Sequence, residues 1–155
     1  MEFLPKISER LFLWGLPASG KTTLGRQWAE KFDRPFIDLD EYVEERHGPI
    51  RDLFAGYGEW GFRLRERAEL RRLVNEFRGG IVAVGGGTPC FFDNADYMNA
   101  VGTTVWLNVA PETAAQRIKG SGRPLFNHDD PMKIIQQLFQ KRIFFYQKAH
   151  KFYAP

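Results

Sequence analysis

The sequence predicts an α/β domain built on a parallel sheet, and three observations carry that prediction. Short apolar runs alternate with longer segments of helical period. The first of those runs leads through a glycine-rich turn straight into a helix. Hydrophobic residues make up 43% of the 155 residues and aromatics 15%, enough to fill a core and too many for a disordered chain. At this length a single domain over residues 1–155 is expected.

Leu11–Trp14 reads as a buried first strand, followed by a turn and a helix from about Gly20 to Lys31. Pro35–Leu39 reads as the second strand, because Pro35 can open a strand but not sit inside one. A long helical region follows over about Glu41–Phe77. It is broken at Gly48-Pro49 and again around Gly56–Gly61. Its last part places Leu70, Leu73, Val74 and Phe77 at i, i+3, i+4 and i+7, a stripe that must face the core. Ile81–Val84 is the third strand and runs into Gly85-Gly86-Gly87. A short helix near Asp93–Asn99, a strand at Thr103–Val109 and a helix opened by Pro111 come next. Gly120–Pro131 has the composition of a mobile loop, with glycine, proline, Asn127 and the Asp129-Asp130 pair. A final helix is expected from about Met132 to Ala149, and Lys151–Tyr153 begins a fifth strand.

Charge and cysteine content narrow the function classes. The chain carries 22 Lys+Arg against 19 Asp+Glu, a net +3 that suits a small anion. Six of its arginines fall between Arg63 and Arg78. Arg65/Glu69 and Glu69/Arg72 stand at helical pairing distances, so Arg65, Arg67, Arg71, Arg72 and Arg78 read as a solvated face. No basic stripe interleaved with aromatics marks a nucleic-acid partner. No apolar run approaches a membrane span, and the N-terminus has no secretion signal, so a cytoplasmic protein without a membrane partner is expected. A single cysteine, Cys90, excludes an internal disulfide and reads as a packing residue. His47, His128 and His150 lack metal-ligand spacing and read as surface residues.

The chemistry begins at Gly15-Leu16-Pro17-Ala18-Ser19-Gly20-Lys21-Thr22, which fits G-x-x-x-x-G-K-[ST]. It follows an apolar strand and opens a helix, the context this phosphate-binding loop requires. Its glycines let backbone N–H groups approach phosphate at a helix N-terminus. Lys21 can reach the β- and γ-phosphates, and the Thr22 hydroxyl can ligate Mg²⁺. A nucleoside triphosphate is therefore the expected ligand. The chain has no N-K-x-D, so a small GTPase is not expected.

Phe36-Ile37-Asp38-Leu39-Asp40 is a hydrophobic strand ending in acids. Residues two apart on an extended chain project the same way, so Asp38 and Asp40 could face one cavity. Capping of the next helix is the competing reading. Three further features favour function. Arg63 and Glu66 lie one helical turn apart, able to pair. The triple glycine directly follows a strand, where bare backbone could meet an anionic or hydroxylated ligand. Ile135, Leu138 and Phe139 form a stripe on which Arg142 stands at i+7, and an inward guanidinium must find an anion.

Taken together, these segments resemble the shikimate kinase family over nearly the whole chain. The resemblance rests on the phosphate loop, the Asp-x-Asp, Gly58-Glu59-x-x-Phe62-Arg63-x-x-Glu66 and the triple glycine. It extends to Arg123-Pro124-Leu125 and Arg142-x-x-x-Tyr146, all in family order. It implies a P-loop three-layer sandwich with a five-stranded parallel sheet, order 2-3-1-4-5, flanked by helices and closed by a mobile lid at about 119–131. The implied reaction is ATP-dependent phosphorylation of the shikimate 3-hydroxyl with Mg²⁺, by a monomer.

The resemblance also implies roles. Gly15, Ala18, Ser19, Gly20, Lys21, Thr22, Thr23, Arg117 and Arg123 would bind the nucleotide, Arg117 packing on adenine and Arg123 closing with the lid. Asp40, Arg63, Gly85, Gly86, Gly87 and Arg142 would hold shikimate, with Arg63 and Arg142 on its carboxylate and Phe54 and Phe62 as an apolar wall. Lys21, Asp40 and Arg123 would be catalytic, Asp40 facing the attacking hydroxyl. Thr22 and Asp38 would serve Mg²⁺, and Glu66 would orient Arg63. The sequence departs from the family where Ala18 replaces the usual glycine, and a C-terminal helix expected after the fifth strand is missing. The alternatives are a kinase for another small hydroxylated acid and a non-catalytic binding module.

Overall fold

The computed structural model describes residues 9–119 and 130–155. Five strands form one parallel sheet in the order β2-β3-β1-β4-β5: β1 (Arg10–Trp14), β2 (Phe36–Asp38), β3 (Gly80–Ala83), β4 (Gly102–Leu107) and β5 (Lys151–Tyr153). The helices are α1 (Lys21–Lys31), α2 (Leu39–His47), α3 (Ile50–Glu76), α4 (Asn94–Val101), α5 (Pro111–Lys119) and α6 (Pro131–Tyr146). A 3₁₀ turn spans Thr88–Cys90. The expected lid falls almost wholly on residues 120–129, so Arg123 and His128 lie outside the described residues.

Alternation along β1 sorts the core onto the two sheet faces. Leu11 and Leu13 pack with Ile81, Val105 and Leu107 against Trp28 and Ala29 of α1. Phe12 and Trp14 pack on the other face with residues of α2 to α6, among them Leu70, Leu73, Ile118, Ile135 and Tyr146. Both faces being covered, the strands read as continuous apolar runs. Among the described residues no helix is long and apolar enough to cross a membrane.

Breaks in the helical region have local causes. Gly48 at φ 83° ends α2 and Pro49 caps α3, while Gly58 at φ 72° kinks α3 within the expected break. The arginine-rich part of α3 departs from the expected pairing. Arg72 does meet Glu69, at 3.4 Å. Arg65 instead donates to the Gly61 carbonyl at 3.0 Å and lies over the Tyr57 ring. Glu69 is buried and is claimed by Arg46 and His47 of α2, at 3.5 and 3.0 Å. Glu69 thus joins an ion-pair seam between α2 and α3, while Arg72 and Arg78 are exposed as expected and Arg67 and Arg71 turn to Asp93 at 3.5 and 2.9 Å.

Candidate active site

The parallel strands end on one side of the sheet, and a cleft of about 1010 Å³ opens there. Its walls come from the phosphate loop, the start of α2, the triple glycine and α6. The loop's shape depends on its small residues. Gly15 has φ 153°, and a Cβ there would come within 2.8 Å of the Leu107 carbonyl. Gly20, at φ 93°, caps α1 without a side chain, which leaves the helix N-terminus to a ligand's anionic oxygens. Ala18 takes φ 61°, the left-handed conformation that glycine adopts without strain. The loop keeps its turn, and Ala18 carries the strain. Lys21 Nζ folds back to donate to the carbonyls of Gly15 and Leu16, both at 2.9 Å. Ser19, Thr22 and Thr23 line the same cleft.

Asp38 and Asp40 reach the cleft by a route the extended-strand reading missed. The strand ends at Asp38, which caps α2 by accepting from the backbone N–H of Asp40 at 2.9 Å and of Glu41 at 3.3 Å. Its other oxygen, Oδ2, accepts from Thr22 Oγ1 at 3.2 Å. Asp40 sits in the first turn of α2. Capping and site geometry thus coexist in one acid. Burial, with Asp38 and then Glu66 nearby, pushes the Asp40 carboxyl up to about 6.

Around the triple glycine lies a buried ionic group. Arg63, 7% exposed, donates through Nη1 to Glu66 Oε1 at 2.9 Å; its Nε has no hydrogen-bond partner among the described residues and stands 4.0 Å from Glu59 Oε1. The Phe91 ring lies under its guanidinium, 4.4 Å away. Glu66 also accepts from Thr88 Oγ1, through Oε2 at 2.9 Å. Burial pushes the Glu66 carboxyl up, while Arg63, the Thr88 hydroxyl and Arg142 pull it back. Arg142 Nη1 is buried with no hydrogen-bond partner among the described residues, and a Cβ on Gly86 would lie 2.8 Å from it. Two guanidiniums therefore face the Glu66 carboxylate, with the exposed Glu59 4.0 Å from Arg63. Guanidinium N–H groups at the end of the cleft have no hydrogen-bond partner among the described residues. Such a site is built for an anion.

The remaining predicted residues divide between the cleft lining and its flank. Arg117 donates to the Ala18 carbonyl at 3.0 Å and lines the cleft beside the phosphate loop. Phe62 is buried and stacks on Phe54 at 4.8 Å, but Phe54 is 37% exposed, the outer ring of the pair. Arg63, Gly87, Phe54 and Phe62 form the flank of the cleft rather than its lining. Sequence reasoning missed Ile50 and Leu138 as cleft-lining residues, and the buried pair Thr88 and Asn94. It also passed over the anchoring role of Tyr146, whose hydroxyl donates to the Gly86 carbonyl at 2.6 Å. Cys90 packs against the core, and burial pushes its thiol up to about 11, away from nucleophilic use.

Comparisons with known proteins agree on one relationship. A family model described as shikimate kinase matches residues 17–154. A shikimate kinase of Bacteroides thetaiotaomicron is 44% identical over 146 residues, covering 90% of this chain and 83% of that protein. A crystal structure of shikimate kinase from the same species superposes with a TM-score of 0.89 at 40% identity, covering 94% of this chain and 86% of the other. The Acinetobacter baumannii shikimate kinase, solved in complex with shikimate, gives a TM-score of 0.87 at 31% identity over 95% of this chain and 83% of its own.

Proposed function

The chain belongs to the shikimate kinase family, and from that premise we propose how its residues carry out ATP-dependent phosphorylation of the shikimate 3-hydroxyl. The observation that carries the reading is the pair of guanidiniums, Arg63 and Arg142, beside the Glu66 carboxylate, with buried N–H groups that lack hydrogen-bond partners among the described residues. A bound carboxylate supplies negative charge and accepts from those guanidinium N–H groups. Shikimate would be held by that end, with its ring over Gly85, Gly86 and Gly87, and Phe62 and Phe54 closing the flank.

At the other end the triphosphate lies on the α1 N-terminus. Lys21 leaves its loop carbonyls to follow the β- and γ-phosphates, and Arg117 packs on adenine. Arg123 would add a further positive charge to the γ-phosphate from the lid. Asp40 stands between the two ends and accepts the hydrogen bond of the attacking 3-hydroxyl. With its carboxyl at about 6 it is mostly ionised at neutral pH, yet basic enough to draw that proton as the bond to phosphorus forms. The Thr22 hydroxyl and the Asp38 carboxylate, 3.2 Å apart, suit Mg²⁺, which takes few protein oxygens and fills its shell with water and phosphate. When bound, that ion supplies neutralising charge on the phosphate oxygens. Nearly all of the rate enhancement would come from positioning and fixed charge.

The test is a coupled ADP-release assay on the purified protein with ATP and Mg²⁺, with and without shikimate. Shikimate-dependent ADP release is expected. Release that is independent of shikimate, or stronger with another hydroxylated acid such as gluconate, would overturn the substrate assignment.

A further inference from the structure

Behind Arg63 stands a row of buried polar side chains that touches neither phosphate nor acceptor. Thr88 and Asn94 are both 0% exposed and Glu66 is 1% exposed. Asn94 Nδ2 donates to the Thr88 carbonyl at 3.0 Å, and the Thr88 hydroxyl donates to Glu66 Oε2 at 2.9 Å. Glu66 Oε1 then accepts from Arg63 Nη1. Asn94 Oδ1 is left without a partner in this row. Stability alone does not account for the arrangement, because apolar side chains of similar volume would avoid both the desolvation and the orphaned oxygen.

Geometry gives the row a purpose. The terminal torsion of a glutamate is soft, so a carboxylate held by one oxygen alone can rotate. Arg63 fixes one oxygen of Glu66 and Thr88 fixes the other. Thr88 directly follows the triple glycine, and its backbone N–H donates to the Gly85 carbonyl at 3.1 Å. One residue therefore ties the glycine turn to the arginine that flanks it. A Cβ placed on Gly85 would lie 3.2 Å from Thr88 Oγ1, 3.3 Å from Asp40 Oδ1 and 3.6 Å from Glu66 Oε2. The hydroxyl is thus part of the same cluster of oxygens as the reacting end.

We propose that Thr88 is a positioning residue: its hydroxyl, with its backbone anchored by Asn94, locks the Glu66 carboxylate and through it aims Arg63 at the carboxylate of the acceptor. This rests on the reading of the acceptor given above, and wild-type kinetics separate the two. Wild-type protein with no shikimate-dependent turnover would overturn that reading and this proposal with it. With turnover established, Thr88→Val removes the hydroxyl and keeps the shape. The KM for shikimate should rise roughly tenfold, about the worth of one charge-assisted hydrogen bond. The KM for ATP should stay within about twofold, since the phosphate loop is untouched. Thr88→Ser restores the donor and should return the shikimate KM to within about threefold of wild type. In a cycle with Glu66→Gln, the double variant should be no worse than the poorer single one, because both substitutions break the same link. Three results would each overturn the proposal: an unchanged shikimate KM in Thr88→Val, equal damage in Thr88→Ser and Thr88→Val, or additive effects in the cycle. Should Thr88→Val fail to fold, Thr88→Ala with the same readouts decides in its place.

Discussion

The guanidinium of Arg63 fills the space that a side chain on Gly87 would need. A Cβ there would meet Arg63 Nη2, with Cζ at 2.8 Å and Nη1 at 3.1 Å. Gly87 has φ −95° and ψ −10°, which any residue can adopt, so close approach and not backbone strain requires the glycine. Gly87→Ala should displace Arg63 from Glu66 and from the acceptor together. The KM for shikimate is expected to rise roughly tenfold or more, with the KM for ATP nearly unchanged, as for loss of one charge-assisted contact. Steady-state kinetics with each substrate varied in turn would check this. Equal changes in both constants would point to a collapsed turn instead.

Asp40 gives a second prediction, on pH. Its carboxyl, held at about 6, must be ionised to accept the hydroxyl proton, so kcat should fall as pH drops through about 6. Asp40→Asn should lose that limb and about 10²-fold of kcat. Stability moves the other way. An acid whose carboxyl is harder to ionise folded than unfolded favours folding below about 4, and that advantage disappears as pH rises towards 6. Asp40→Asn should therefore be the more stable protein at pH 8, by up to about 3 kcal/mol, and should match wild type near pH 3.5. Melting curves of the two proteins across that range would check the sign.

Arg10 gives a prediction about the fold alone. Its guanidinium donates to the carbonyls of Phe77, Val101 and Val74 at 2.6, 3.0 and 2.7 Å, tying the ends of α3 and α4 to the start of β1. These carbonyls are helix-end acceptors that would otherwise be unsatisfied. Arg10→Met keeps the stem and removes the donors, and should cost about 3 kcal/mol, or roughly 6–12 °C in melting temperature. The kinetic constants of the folded protein should not move, because Arg10 lies at the opposite end of β1 from the phosphate loop.

Arg10 also marks the limit of what the sequence made legible. Its three partners lie 64 to 91 residues away, and no local pattern announces them. Strands and their buried faces were legible because the two-sided sheet demands unbroken apolar runs. The phosphate loop was legible because its chemistry is contained in eight consecutive residues. Arg63 with Glu66 and Arg142 on its stripe were legible because helical spacing fixes direction. By contrast, Glu69 was assigned to its own helix, where Arg46 and His47 from α2 compete for it. For Asp38 and Asp40 the sequence leaves strand projection and helix capping open, and the structure has Asp38 end the strand and cap the helix that carries Asp40. Thr88 and Asn94 carried one available signal, two polar residues just past the triple glycine, but their burial depends on packing that the sequence does not display.

Arg142 offers the sharpest separation of function from fold. It extends the α6 stripe of Ile135, Leu138 and Phe139, yet its Nη1 is buried with no hydrogen-bond partner among the described residues. That atom is a liability to the fold, and the guanidinium is eased by the nearby Glu66 carboxylate and the Tyr146 hydroxyl. Arg142→Leu removes the orphan and lets the stripe continue as apolar surface, so the melting temperature should hold or rise. The loss should appear in shikimate binding, which gives up a charge-assisted pair worth about 1.5–3 kcal/mol, or roughly 10- to 150-fold in affinity. ADP affinity should barely change, because Lys21 and its loop are untouched. Calorimetric titration of each ligand, alongside melting curves of both proteins, measures all three quantities. Shikimate affinity equal to that of wild type would remove Arg142 from the clamp. A large fall in melting temperature would instead make it the structural partner of Glu66, and the anion site would then rest on Arg63 alone.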